Sequence, residues 1–170
     1  MSGPQKGYPS LRIGRSSAEG AEYFLTLCAQ RPCHALAHPA VIEAAQRQCR
    51  ELESSGAWEV RSAVFMPDHA HLLIRLGGVE SLSAVVRKFK GPLAGILRIH
   101  SAKWQPAFYD HRLRNTDNVL PVFLYIFLNP YRAGLCEAGR KWPGYYCRPE
   151  DWEWFGAMTD RSCPEPEWLL

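Results

Sequence analysis

Two histidines separated by one alanine, His69 and His71, are the residues whose types and spacing most clearly point to chemistry. Side chains alternate along a β-strand, so both imidazoles would leave one face, with Ala70 and Leu72 on the other. Two neutral imidazoles side by side are the start of a divalent-metal site. Two polar strand residues facing water are the alternative, and the spacing alone leaves both interpretations open.

A second polar pair interrupts the apolar run at residues 122–129. Tyr125 and Asn129 lie four positions apart, which places them on one side of a helix. A phenol oxygen is a candidate covalent nucleophile, and an amide oxygen is a candidate third metal ligand. The alternative is that Tyr125 packs in the core and that Asn129 caps the helix before Pro130.

The charge of the chain is unevenly distributed, although its formal net value is only +3. Residues 81–115 carry seven lysines and arginines against the single acid Asp110, whereas residues 149–170 carry six acids against Arg161. A basic region favours a polyanionic partner, since each phosphate contact adds affinity. The same charges are equally compatible with solvated helix faces.

The composition is that of an ordinary globular domain. A chain of 170 residues that is 46% hydrophobic and 22% charged is long and apolar enough for one domain with a real core. No apolar run has membrane-spanning length, and residues 1–7 lack a signal core, so we expect a cytoplasmic protein without a membrane partner. The six cysteines form no Cys-x-x-Cys pair, which argues against a zinc ribbon.

Hydrophobic patterning predicts the elements that would position these side chains. Four short segments favour strands, and three longer segments repeat apolar residues at helical spacing. Pro92 lies inside the second helical segment and is expected to kink or split it. The strands are predicted over residues 22–29, 58–65, 69–76 and 108–113, and the helices over residues 39–53, from 81 or 83 to 100, and from 116–118 to 129.

The order βαββαβα predicts an α+β sandwich with a mainly antiparallel, four-stranded sheet. Helices would cover one face, and the histidines would lie on a free face. We predict an irregular N-terminal segment at residues 1–20, a domain at residues 21–148 and an acidic Pro- and Trp-rich tail at residues 149–170. The chain after residue 134 is expected to be an irregular extension.

Four segments, in order, resemble blocks of Y1 transposases of the IS200-like type, which are single-tyrosine enzymes of the His-hydrophobic-His (HUH) endonuclease superfamily. MPDHAHLL at residues 66–73 resembles the family signature, and SAVVRKFKG at residues 83–91 resembles the helix after it. WQPAFYDHRLRN at residues 104–115 and YIFLNPYRAGL at residues 125–135 are similar to blocks of the REP-associated branch. The resemblance covers roughly residues 58–147 and implies a ferredoxin-like sheet.

The resemblance also implies a reaction. His69 and His71 match the metal-binding histidines, Asn129 stands where relatives place a polar third ligand, and Tyr125 matches the nucleophile. The implied activity is cleavage and rejoining of single-stranded DNA at hairpin or REP-like sequences through a 5′-phosphotyrosine, with Mg²⁺ or Mn²⁺ and without a nucleotide cofactor. The REP-associated branch implies a monomer rather than a dimer.

Departures from the family pattern leave alternatives open. Tyr131 stands where an aliphatic residue is usual and is a competing phenol, while Ala70 is smaller than usual. A non-cleaving hairpin-binding protein, or a metal-dependent phosphohydrolase with a water nucleophile, would use the same histidines. Trp104 is a candidate base-stacking platform, with core packing as its alternative. The candidate phosphate contacts are Arg87, Lys88, Lys90, Lys103, Arg112 and Arg114.

Overall fold

Five strands form one antiparallel sheet in the computed structural model, which describes residues 17–30, 32–114, 116–137 and 139–148. The N-terminal segment up to residue 16 and the predicted tail at residues 149–170 lie outside the described residues. The strands are β1 (Glu22–Cys28), β2 (Trp58–Phe65), β3 (His69–Leu76), β4 (Tyr109–Arg112) and β5 (Tyr145–Cys147). Their order across the sheet is β4-β1-β3-β2-β5.

The centre of the sheet is β3, which has β1 on one side and β2 on the other. A tight connection at residues 66–68 joins β2 to β3, and the Met66 amide donates to the His69 carbonyl at 2.8 Å. The register pairs Thr26 of β1 with His71 and Cys28 with His69. Because β3 is flanked on both sides, its backbone is fixed by two ladders, and the histidines project from a rigid element.

Two helices cover one face of the sheet: α1 (Pro39–Ser54) and α2 (Leu82–Ile99). Both begin at a capped turn, with the His38 side chain accepting from the Ala40 amide and the Ser81 hydroxyl accepting from the Ala84 amide. Pro92 was expected to kink or split α2, and the split does not occur, because the helix continues through it. Pro92 lies on the exposed side of α2, where water can serve the carbonyl that lacks its helical donor.

The third helix, α3 (Leu120–Arg132), packs on the opposite face, so the expectation of a free face around the histidines is wrong. The physical reason is that the apolar side chains of α3 are stabilised when they are buried against other apolar groups. Phe24 and Leu73 provide such groups beside the histidines. Pro121 lies in the first turn, where a proline is tolerated, and the helix continues past Asn129 to Arg132, with Ala133 as its C-cap. Asn129 is therefore not the C-cap of this helix.

The expected α+β architecture is confirmed, but four strands was the wrong number. The fifth strand, β5, pairs with β2 inside the stretch predicted to be irregular. Side chains hold it there: the Trp142 indole donates to the Phe65 carbonyl at 2.9 Å, and the Gln46 amide donates to the Tyr145 carbonyl at 2.9 Å. No helix in the described part of the chain is long and apolar enough to span a membrane.

Candidate active site

The two histidines lie side by side at the start of β3, beneath α3. Their ring centroids are 4.6 Å apart and their planes cross at 66°. His69 is partly exposed, whereas His71 is only 5% exposed. Strand alternation therefore places both imidazoles on one face, as predicted, and α3 covers His71.

Burial changes the proton chemistry of His71. Desolvation, followed by the neighbouring His69 imidazole, lowers the pKa of His71 to about 3, and a backbone hydrogen bond with Leu25 acts in the opposite direction. The Thr26 hydroxyl lies 3.0 Å from Nδ1 and steadies the ring. His71 is consequently neutral near pH 7, which is the form that can bind a metal.

A carboxylate orients His69. The Nδ1–H of His69 donates to Asp68 Oδ1 at 2.7 Å. This contact leaves Nε2 as the ligating nitrogen, the arrangement by which carboxylates commonly orient metal-binding histidines. Sequence reasoning passed over both Asp68 and Thr26. Asp68 is adjacent to the His-x-His motif and could have been found from it, whereas Thr26 is brought in by strand register.

Tyr125 reaches this pair from α3. Its hydroxyl lies 3.3 Å from Nε2 of His71, and the two ring centroids are 5.0 Å apart. Phe24 stacks on His71 at 5.2 Å and meets the edge of Tyr125 at 5.9 Å, so one aromatic side chain supports both groups. The structure thus brings Tyr125 to the histidine pair, from which it is more than fifty positions away in the sequence.

The competing phenol, Tyr131, lies elsewhere. Its hydroxyl donates to the Arg140 carbonyl, and its ring packs near Phe127 and Tyr145. Burial, followed by the neighbouring Cys136, raises the pKa of Tyr131 to about 12. Tyr131 is therefore held away from the histidines, with its proton firmly bound.

Asn129 lies one turn beyond Tyr125 and is partly buried. No hydrogen bond joins its side chain to either histidine within the described residues. In the same residues, no group of three or more His, Cys, Asp and Glu side chains could hold a metal ion. The two imidazoles still fit a divalent cation, because both are oriented and His71 is neutral. Further ligands must then be an amide, water or substrate oxygens.

The predicted phosphate contacts fall into two groups. Arg87 and Lys88 are exposed on α2, in the helix layer opposite the histidines, and Lys88 pairs with Glu80. Lys90 instead extends to the Gln105 carbonyl, beside the segment that leads into β4. The other members of this second group are exposed at the same edge of the sheet: Lys103, Arg112 and Arg114.

Trp104 is partly buried, and it packs against apolar core residues on the face of the sheet that α1 and α2 cover. Lys90 Nζ lies 5.6 Å from its ring centroid. Burial lowers the pKa of Lys90 from its usual value, while Cys28 acts in the opposite direction. The described contacts of Trp104 are thus those of packing, the alternative to stacking.

Comparison with known proteins agrees with this fold and identifies a family. Residues 18–114, more than half of the chain, match the sequence profile of the family described as Transposase IS200 like. The chain therefore belongs to the IS200-like transposase family, whose members are enzymes. The match ends before α3, so the role of Tyr125 has to be argued from geometry.

Two individual proteins are also similar to this chain, and both are REP-associated tyrosine transposases. The REP-associated tyrosine transposase of Escherichia coli (strain K12) is 29% identical over 119 residues, covering 64% of this chain and 69% of that protein. A solved structure of a REP-associated tyrosine transposase bound to a REP hairpin superposes with a TM-score of 0.61 at 23% identity, covering 72% of this chain and 73% of the other. The second likeness shows that the two chains share a fold.

Proposed function

We propose that this protein cleaves and rejoins single-stranded DNA at hairpin or REP-like sequences, with Tyr125 as the covalent nucleophile. The observation that carries the proposal is the distance of 3.3 Å between the Tyr125 hydroxyl and Nε2 of His71. A nucleophile beside an oriented imidazole pair is the arrangement that a phosphoryl-transfer site requires. Membership of the IS200-like family and the likeness to REP-associated transposases support the same reaction.

Metal binding is part of the proposal. His69 and His71 would hold Mg²⁺ or Mn²⁺, with the Asn129 amide oxygen as a third ligand. When bound, the cation supplies positive charge that stabilises the phosphate oxygens as charge builds on them. Asp68 and Thr26 orient the imidazoles, and Phe24 contacts both His71 and Tyr125, stacking on the first ring and meeting the second edge-on.

The chemical step is a transesterification in which Tyr125 Oη attacks the scissile phosphorus. The Tyr125 O–P bond forms as the bond from phosphorus to the 3′ oxygen breaks. The phenol gives up one proton and the departing 3′ oxygen takes one up, so no net proton is released. The product is a 5′-phosphotyrosine with a free 3′-OH. A second 3′-OH can reverse the step, so strands are joined without ATP.

The substrate is inferred from charge and from the relatives. One solved relative is bound to a REP hairpin, and we extend hairpin recognition to this chain. Lys103, Arg112 and Arg114 lie on β4 or the segments beside it, and the Lys90 side chain reaches the same edge of the sheet from α2. These four are the phosphate contacts that we favour. Activity on chromosomal DNA would place the protein in the bacterial cytoplasm.

The experiment is a search for a covalent adduct. The protein is incubated with Mn²⁺ and a hairpin DNA that carries a single-stranded extension and a label at its 3′ end, the side that stays on a 5′-phosphotyrosine, and the products are separated in SDS. We expect a labelled protein band that Tyr125→Phe abolishes without loss of hairpin binding. Tyr131→Phe is the matched control, because it removes a phenol from the same helix at a site distant from the histidines.

Three results would overturn the proposal. An adduct that survives Tyr125→Phe or disappears with Tyr131→Phe would show the wrong nucleophile. Cleaved DNA without an adduct would indicate a phosphohydrolase that uses water. Tight hairpin binding with neither adduct nor cleavage would indicate a protein that recognises hairpins and does not cut them.

A further inference from the structure

The edge strand β4 presents a tyrosine on the same sheet face as the histidines. The register pairs Tyr109 with Thr26, and Thr26 with His71. Directly paired residues project on the same face, so the three side chains form one row across the sheet. Tyr109 lies two strand spacings from His71, a backbone separation of about 10 Å.

Tyr109 is unusual in its exposure. It is 52% exposed and is the one aromatic among the exposed large apolar side chains of the described residues. Alternation places exposed His111 on the same face and Asp110 on the other, where it pairs with Leu25. An aromatic ring and an imidazole thus line this edge of the active-site face, and the intervening carboxylate points to the opposite face.

Cations lie at both ends of this short strand. Lys103 is exposed in the segment that leads into β4, and Arg114 is exposed just beyond the other end. Lys90 reaches the first segment from α2, and alternation turns Arg112 to the face of Asp110. Lys103 and Arg114 are therefore the cations that flank Tyr109. Positive charge at each end of an exposed aromatic side chain is the combination that binds single-stranded nucleic acid, since the charges contact phosphates and the ring stacks on a base.

We propose that Tyr109 is a stacking platform for a base of the single-stranded DNA that leads from the hairpin to the scissile phosphate. The substrate class rests on the proposed function, and the platform itself rests on the register, the exposure and the flanking charges. The separation of about 10 Å from His71 matches about three stacked nucleotides. Tyr109 therefore positions the strand, and Tyr125 attacks it.

The test measures equilibrium affinity for two DNA probes: a hairpin with a single-stranded extension and the same hairpin without it. Tyr109→Ala is expected to weaken binding of the extended probe by about tenfold or more and to leave the blunt hairpin unchanged. Tyr109→Phe keeps the ring and is expected to retain wild-type affinity. Val79→Ala is the matched control, because Val79 is 73% exposed and lies outside the sheet.

Other outcomes would overturn the platform. Tyr109→Ala could bind the extended probe as tightly as the wild type, or it could lose the same affinity for both probes. Tyr109→Phe could also lose as much affinity for the extended probe as Tyr109→Ala does. A change in oligomeric state would show that the β4 edge pairs with a second copy. None of these readouts depends on adduct formation by Tyr125, so this proposal and the proposed function fail separately.

Discussion

The two faces of the sheet share β3, but its side chains meet different surroundings on each. The even-numbered residues of β3 are apolar, are at most 2% exposed and pack beneath α1 and α2. The odd-numbered residues are His69, His71, Leu73 and Arg75, and their face also receives α3. One strand therefore builds an apolar core on one side and a polar site on the other.

This difference separates stability from reactivity. Beneath α1 and α2, every deleted methyl group leaves a cavity, so the face stabilises the fold through packing. On the α3 face, His71 is buried with polar partners at both ring nitrogens, Thr26 and Tyr125. Burial of a polar group costs free energy unless it is hydrogen-bonded, so these partners let a reactive group lie in a protein interior.

The largest expected effect comes from the polar face. His71→Gln is expected to lower the rate of adduct formation by at least about a thousandfold, roughly 4 kcal/mol in the barrier, because a metal ligand beside the nucleophile is lost. An amide can replace the hydrogen bonds with Thr26 and Tyr125, so the free energy of unfolding should change by about 1 kcal/mol or less. Adduct kinetics and urea unfolding measure the two quantities. A large loss of stability would show that this face also supports the core.

The matched change on the apolar face is Leu72→Ala, one residue away. Leu72 is fully buried among apolar residues, so we expect the free energy of unfolding to fall by about 2–5 kcal/mol. Below the unfolding transition, adduct formation should stay near the wild-type rate. If the rate instead fell as far as in His71→Gln, the two faces could not be treated as independent.

Metal removal should act on the α3 face alone. Chelation with EDTA is expected to abolish adduct formation, and Mn²⁺ at about 100 times its dissociation constant should raise the free energy of unfolding by about 2.7 kcal/mol. Thermal unfolding with and without Mn²⁺ measures this increment. It should vanish in His69→Ala and persist in Leu72→Ala, and its persistence in both would place the metal elsewhere.

The smallest of these effects is expected at Asp68, whose carboxylate accepts a hydrogen bond from His69. Asp68→Asn weakens the contact that orients the imidazole, so the affinity for Mn²⁺ should fall by about 10- to 100-fold. Adduct formation titrated with Mn²⁺ should shift to higher concentration and reach nearly the wild-type plateau. A lowered plateau with an unchanged midpoint would mean that Asp68 acts on DNA and not on the metal.

The sequence predicted the strands that depend on local patterning. The bounds of β2 and β3 are confirmed to the residue, and α1 ends one residue later than predicted. Alternation also placed His69 and His71 on one face. Alternation shows which side chains share a face of the sheet, but it does not show which element packs on that face. The sequence therefore did not predict that α3 covers the face with the histidines.

The missed features depend on long-range contacts. β5 is only three residues long, so although its tyrosines favour a strand, the segment is too short to show alternation, and its place depends on β2 and the Gln46 amide. The contact of Tyr125 with His71 depends on how α3 docks, and Thr26 reaches His71 only through the register of β1 with β3. The roles of Tyr125 and Asn129 stay predictions until the adduct and metal experiments are done.

The docking of α3 on its own sheet has a kinetic consequence. Nucleophile and imidazoles meet within one polypeptide, with Tyr125 at 3.3 Å from His71. Adduct formation with saturating DNA should therefore be first order, with a rate constant that does not change when the protein is diluted. Mixing two inactive preparations, Tyr125→Phe and His71→Gln, should restore no activity, because neither chain can complement the other in trans.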